Sequence, residues 1–296
     1  MRVVVLSDNR TEKEAFETEH GLSVYVETKR YRYLLDTGAS SVFIRNASLA
    51  GVDLTKVDYV IISHGHRDHA GGLEAFLLMN HQAKVIVAEG ALNQPFYSQR
   101  MGMRSIGTSL DTSLYTDRII EVNDFCRVNN ETIVFRAIQS GFPLPAGNKT
   151  LYKEVEGELV ADDFSHERVV VIGNEHPFVF TGCAHRGVQN ILESLQQHQV
   201  KQLIQSGEII KFQESLTQDQ FQPAVVFGGF HLVENAEGKP YETVSQLDAI
   251  ANYLMSNFPE TQFFTGHCTG DKACLHLESQ LQGRLKIFGT GNEYHF

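Results

Sequence analysis

The stretch Ser63-His64-Gly65-His66-Arg67-Asp68-His69 gathers three imidazoles and one carboxylate within a few positions. In extended backbone, residues two apart point the same way, so His64 and His66 can share one cation. Adjacent Asp68 and His69 diverge and can serve a second cation nearby. Neutral imidazoles suit zinc or iron, and a single carboxylate hardens the second position. The bland alternative is a His-rich surface loop. It is disfavoured by the apolar run Val57 to Ile62 just before the cluster and the helical pattern after it. Gly65, Gly71 and Gly72 are expected to let the backbone turn tightly here.

Three more histidines stand in similar settings. His185 lies in Thr181-Gly182-Cys183-Ala184-His185-Arg186-Gly187, His231 in Phe227-Gly228-Gly229-Phe230-His231, and His267 in Thr265-Gly266-His267-Cys268-Thr269-Gly270. Each follows an apolar strand-like run and one or two glycines, which is where loops at a sheet edge collect ligands. A lone histidine after a strand is usually a structural hydrogen-bonder. Several such loops, one already carrying a cluster, make His185 and His267 metal-ligand candidates, and His231 a weaker one. Cys183 and Cys268 sit beside these positions but read as small packing residues rather than soft ligands.

The elements that must position these residues alternate. Leu22 to Glu27 and Tyr31 to Leu35 read as paired strands across Lys29-Arg30. Val57 to Ile62 reads as a buried strand, Gly71 to Met79 as a helix and Lys84 to Ala88 as a further strand, together a β-α-β unit. Residues 91–165 show scattered aromatics and weak periodicity, and are expected to form an irregular covering segment or lid with short strands. Arg168 to Ile172 and Phe178 to Phe180 read as a hairpin across Gly173-Asn174. Val188 to Gln197 and Val244 to Asn257 read as helices, Ala224 to Phe227 and Gln262 to Phe264 as strands. No internal repeat or linker divides the chain, so a single domain over 1–296 is expected.

The composition bounds the rest. The 296 residues are 42% hydrophobic, enough for a large core, which excludes disordered and fibrous classes. No apolar run approaches the roughly 20 residues that span a bilayer. With 25 basic against 36 acidic side chains, the net charge is −11. That disfavours nucleic acid, whose binding depends on clustered Lys and Arg. The opening Met1-Arg2-Val3-Val4-Val5-Leu6-Ser7-Asp8 reads as a first strand rather than an export signal, and four cysteines are too few for a disulfide framework. A cytoplasmic protein with no membrane or nucleic-acid partner is expected; oligomeric state is left open.

The His-x-His-x-Asp-His motif, with Leu34-Leu35-Asp36-Thr37-Gly38 ahead of it and His185 and His267 behind it, resembles the metallo-β-lactamase superfamily. Within it, the exact forms of the four loops resemble the branch named for dihydropterin–ribofuranosylaminobenzene-phosphate synthase. The resemblance implies an α/β (α+β) fold, the four-layer αβ/βα sandwich, carrying one or two divalent metal ions. Zinc is the first expectation, with iron and manganese as alternatives. It implies that His64, His66 and His185 hold one metal and Asp68, His69 and His267 the other, with Asp36 and Thr37 orienting ligands. The superfamily usually adds a bridging Asp, often as Gly-Asp, between the last two histidines. None stands between His185 and His267. Either His231 replaces it or the second metal is held more weakly.

Three functions follow as expectations. The first is a hydrolase that turns a metal-activated water on a small phosphorylated or ester-type substrate, with Asp68 ligating and accepting a hydrogen bond from the nucleophile. His231 protonates the leaving group there if it is not a ligand. The second is a pterin-type transferase displacing pyrophosphate. The third, a non-catalytic metal-binding scaffold, fits poorly with so full a ligand set. Diiron oxidoreductases of this fold prefer Glu where His66 stands, and a transfer-RNA nuclease would want a basic arm.

Overall fold

A computed structural model describes residues 1–139, 141–173, 176–196 and 221–296. The chain forms two compact units. The first comprises Met1–Asn123, Lys149–His166 and Phe288–Phe296; the second comprises Asp124–Asn148 and Glu167–Ile287.

The first unit is built on a seven-stranded sheet. Its strands are β1 (Arg2–Ser7), β2 (Ser23–Glu27), β3 (Arg32–Leu35), β4 (Tyr59–Ile61), β5 (Lys84–Ala88), β8 (Ile119–Val122) and β18 (Glu293–His295). They run in the order β18-β1-β2-β3-β4-β5-β8. From β18 to β3 neighbours are antiparallel; from β3 to β8 they are parallel. Helices α1 (Val42–Leu49), α2 (Arg67–Ala70) and α3 (Leu73–Met79) belong to this unit. Its core gathers Leu34, Phe43, Val60, Ile62, Leu73 and Phe76, all buried. These are the apolar runs flagged in the sequence, and β-branched residues such as Val60 and Val85 suit strands buried on both faces.

A second, four-stranded sheet in this unit has the order β12-β11-β6-β7, from β6 (Phe96–Ser98), β7 (Arg104–Ser105), β11 (Leu151–Val155) and β12 (Glu158–Ala161). The segment 91–165 therefore carries more regular structure than its periodicity conveys. Its strands are two to five residues long, too short for a pattern to register.

The second unit repeats the first unit's pairing logic. Its sheet runs β17-β16-β15-β14-β13-β10-β9. The strands are β9 (Phe125–Arg127), β10 (Thr132–Phe135), β13 (Val169–Ile172), β14 (Phe178–Phe180), β15 (Val225–Phe227), β16 (Gln262–Thr265) and β17 (Leu285–Ile287). From β9 to β14 they are antiparallel, from β14 to β17 parallel. Part of the β13–β14 turn, including Asn174, lies outside the described residues, as does Gln197. Helix α4 (Val188–Gln196), α5 (Val244–Asn257) and α6 (Asp271–Gln280) belong here. Helix α5 starts where Thr243 and Gln246 form a capping box, each side chain closing on the other's backbone N–H. Val179, Ile191, Val226, Leu254, Phe263 and Leu277 are among the residues of its core.

The register explains where the chemistry gathers. Phe180 is paired with Phe227, and Phe227 with Phe264, so three parallel strands end side by side. The loops bearing His185, His231 and His267 all leave from that line. In the first unit Leu35 is paired with Ile61, and the loops bearing Asp36 and His64 leave together. Among the described residues, no helix is long and apolar enough to cross a membrane.

Candidate metal centre

In the first unit the motif folds as a tight corner between β4 and α2. His64, His66 and His69 are all buried. The His64 ring lies 4.6 Å from that of His66 and 4.0 Å from that of His69, centroid to centroid. Asp68 carries its carboxylate 3.7 Å from Nε2 of His69 and 3.4 Å from Nε2 of His20. Burial, followed by the neighbouring His69, His66 and His166, pushes the His64 pKa well below the usual histidine value. That keeps the ring neutral and able to donate a lone pair.

Each of these rings has an oxygen partner on one nitrogen. Nδ1 of His69 stands 2.6 Å from Oδ2 of Asp36, and Nδ1 of His64 stands 2.9 Å from Oγ of Ser63. Ser63 in turn donates from Oγ to Asp36 Oδ2 at 2.7 Å and from its backbone N–H to Asp36 Oδ1 at 2.6 Å. On His66 it is Nε2 that faces a carboxylate, 3.4 Å from Asp162 Oδ2. A ring that donates from one nitrogen carries its lone pair on the other. On that basis Nε2 of His64, Nδ1 of His66 and Nε2 of His69 are the candidate donor atoms. Thr37 fixes the backbone instead: its N–H and its hydroxyl both donate to the carbonyl of His69, at 2.7 and 3.0 Å.

Asp162 and His166 are candidate site residues that sequence reasoning missed. His166 accepts from the Gly65 backbone N–H through Nδ1 at 3.0 Å and donates through Nε2 to Asp162 Oδ2 at 3.1 Å. Burial opposes ionisation of Asp162, but hydrogen bonds from His166 and His66 outweigh it and hold the carboxyl well below its usual range. Asp162 stands near the end of the weakly periodic segment and His166 directly after it. The one signal available was an Asp and a His four apart, too common to single out.

The glycines of the motif have a different reason from tight turning. Gly71 and Gly72 have ordinary helical φ values of −66° and −86°. A Cβ would instead lie 2.4 Å from the Ala39 carbonyl oxygen at Gly71 and 2.2 Å from the Thr37 carbonyl oxygen at Gly72. At Gly65 it would lie 2.2 Å from the Ala91 carbonyl oxygen. Close backbone approach, not left-handed conformation, demands them.

In the second unit His185, His231 and His267 are buried as well. The rings of His185 and His231 lie 4.1 Å apart. His185 is held on three sides. Nδ1 faces Asn148 Oδ1 at 3.1 Å, its carbonyl accepts from Asn148 Nδ2 at 2.7 Å, and its N–H donates to Glu167 Oε1 at 2.6 Å. Glu167 also accepts from the Arg186 N–H at 2.9 Å. Burial raises its pKa to about 7, against those two backbone N–H groups, which favour the charged form. Ala184, His231 and His267 all take left-handed φ, 58°, 49° and 50°. Such backbone costs on the order of 1 kcal/mol or more per residue and clusters at sites that need a fixed side-chain direction. Thr269 ties two of the loops together by accepting from the Phe230 N–H at 2.9 Å.

Beside these loops lies a cavity of about 260 Å³ whose lining includes Phe142, Pro145, Val188, Phe230, Leu232 and Tyr253. Phe230 precedes His231, and Val188 follows His185 by three positions. A mostly apolar cavity next to converging polar groups is the usual form of a small-molecule pocket.

The donor set fits a divalent transition metal: buried imidazoles, those of the motif each with an oxygen on one ring nitrogen, and one partly exposed carboxylate on Asp68. A family model described as the metallo-beta-lactamase superfamily matches residues 17–125. An uncharacterized protein of Methanocaldococcus jannaschii is 25% identical over 285 residues, covering 94% of this chain and 94% of its own. From the same organism, 7,8-dihydropterin-6-methyl-4-(beta-D-ribofuranosyl)-aminobenzene-5'-phosphate synthase is 25% identical over 273 residues, 87% of this chain and 83% of its own. Among solved structures, a metal-dependent hydrolase of the beta-lactamase superfamily matches with a TM-score of 0.74 and 28% identity, over 100% of this chain and 99% of its own. The resemblance drawn from the motifs stands, and the fold is the metallo-β-lactamase fold.

Proposed function

We propose that this chain of metallo-β-lactamase fold is a metal-dependent hydrolase acting on a small phosphorylated or ester-type substrate. One observation carries the reading: the three motif histidines each have one ring nitrogen engaged by an oxygen, of Ser63, Asp162 or Asp36, which orients the other as a metal donor. Following the resemblance, His64, His66 and His185 are assigned to one divalent ion, zinc first, and Asp68, His69 and His267 to a second. Such ions, when bound, supply Lewis acidity and activate water.

The chain's own residues do the rest. Asp36 holds the His69 ring in one tautomer and one direction, and Thr37 fixes its backbone. Asp68, partly exposed, accepts a hydrogen bond and then a proton from the attacking nucleophile. His231 serves either as a seventh donor or as the acid for the leaving group. The apolar cavity beside it takes an uncharged, compact part of the substrate. The net charge of −11 supports a small-molecule substrate over nucleic acid.

A second reading is a transferase that displaces pyrophosphate from a pterin-type substrate. It is supported by the likeness to the M. jannaschii synthase over most of both chains.

Metal content of the tag-free protein and of Asp68→Ala, followed by phosphodiester, phosphomonoester and ester panels, tests the proposal. Two equivalents falling to about one in the variant, with turnover on a panel member, supports the hydrolase. Metal bound but turnover only with a pyrophosphate ester and an added amine would favour the transferase. No metal after reconstitution would end both.

A further inference from the structure

The second unit holds two thiols where the sequence promised only packing. Cys183 and Cys268 are both buried, and the donor atoms of Cys183, His231 and Cys268 all lie within 4.8 Å of one another. The Cys183 sulfur is also within 4.8 Å of a ring nitrogen of His185 and of one of His267. It is thus the common neighbour of His185, His231 and His267.

The local backbone is shaped around these sulfurs. Sγ of Cys268 points back over the Cys183 carbonyl, 3.5 Å from its oxygen. A Cβ added to Gly229 would lie 2.2 Å from Cys268 Sγ, so the absence of a side chain at Gly229 admits the thiol. Left-handed φ at Ala184, His231 and His267, each at or beside a member of the trio, turns the three loops toward one point.

We propose that Cys183, His231 and Cys268 form a soft metal site that binds a thiophilic divalent cation, of the zinc, cadmium or cobalt type, through two thiolates and one imidazole. Tetrahedral zinc with bonds of about 2.0–2.3 Å sets its donors roughly 3.5 Å apart, so a trio within 4.8 Å needs to draw in by at most about 1.3 Å, within reach of side-chain rotation. Two thiolates also supply negative charge beside the Gly228-Gly229 loop, which carries no Gly-Asp. The assignment gives His231 the role of ligand, not of leaving-group acid.

The inference goes beyond the hydrolase reading and is separable from it. The full-length reduced chain, stripped of metal, is titrated with cobalt(II) and its near-ultraviolet spectrum recorded. A thiolate-to-cobalt charge-transfer band is expected, falling by about half in Cys183→Ser and in Cys268→Ser and vanishing in the double variant. The band should persist in His64→Ala/His66→Ala, because all three donors lie elsewhere in the chain. Should the cysteine variants not fold, differential alkylation of the wild type decides: bound cadmium should slow modification of Cys183 and Cys268 below their rates in the metal-free chain and leave the rate at Cys126 unchanged. Cobalt bound without the band, a band unchanged in the double variant, no thiol protected, or no cobalt bound would each overturn the site. Cobalt bound without the band but with metal-dependent turnover would sink this inference alone; the band without any turnover would sink the hydrolase reading alone.

Discussion

Asp36 and His69 are joined by a fully buried contact of 2.6 Å between Oδ2 and Nδ1, and the same carboxylate accepts two hydrogen bonds from Ser63. One side chain thereby fixes the direction of His69 directly and of His64 through the Ser63 hydroxyl. Asp36→Asn keeps the volume but presents an amide in place of one oxygen. Loss of such a partner costs a metal site roughly 10–100-fold in affinity. We expect that loss in chelator competition; affinity within twofold of wild type would remove Asp36 from any orienting role.

His166 does for Gly65 and Asp162 what Asp36 does for Ser63 and His69. His166→Ala leaves the buried Gly65 N–H without its acceptor, at a cost of about 1–3 kcal/mol. Urea melts of the metal-free protein should register that loss, and metal affinity should fall with it because Asp162 is no longer pinned against His66. Asp162→Asn should lower affinity with less loss of stability. Melts and affinities both unchanged would make the pair incidental.

Glu167 predicts a pH dependence with a definite sign. Its pKa is raised by burial from 4.5 to about 7, so the folded state favours the protonated acid. Its contribution to stability is fully present below about pH 4.5 and is lost as pH rises through about 7. At about 1.4 kcal/mol per unit, the loss is on the order of 3 kcal/mol. Glu167→Gln cannot ionise. The stability of the metal-free wild type minus that of the variant should therefore fall between pH 4.5 and 8. A flat or rising difference would show that the two backbone N–H groups outweigh burial and keep Glu167 ionised.

Filling the apolar cavity tests whether it holds substrate. Ala249, on α5, lines it from an exposed position. Ala249→Phe should leave the melting temperature nearly unchanged and raise KM about tenfold or more for any substrate with an apolar part, with kcat moved less. An unchanged KM would place the substrate elsewhere.

Much of this was legible in the residues. Val57 to Ile62, Lys84 to Ala88 and Val244 to Asn257 announced themselves because burial on both faces, or at one helical stripe, forces a long apolar pattern. The His-x-His-x-Asp-His run was legible because metal chemistry fixes both residue type and spacing. Asp162, His166 and Asn148 were not, since a hydrogen-bond partner needs only to arrive at the right point in space, by any route along the chain. The common pairing scheme of the two sheets was hidden for a related reason. It is a pattern of strand directions, and directions leave no mark on composition. The thiols at Cys183 and Cys268 were read as packing because a buried sulfur looks the same in sequence whether its neighbours are methyl groups or imidazoles.

The strand Glu293–His295 pairs with Arg2–Val4, and the terminal amine of Met1 meets the carbonyl of Phe296. A ribosome delivers Arg2–Val4 long before Glu293–His295. Every residue of the second unit has been synthesised before the first unit receives its last strand. Until then the nascent chain carries the edge of β1 uncovered, a row of unpaired backbone groups of the kind that recruits foreign strands. Stalled or C-terminally clipped chains should therefore aggregate through their first residues. A permutant that joins the present ends and opens at an exposed loop would be relieved of that interval altogether.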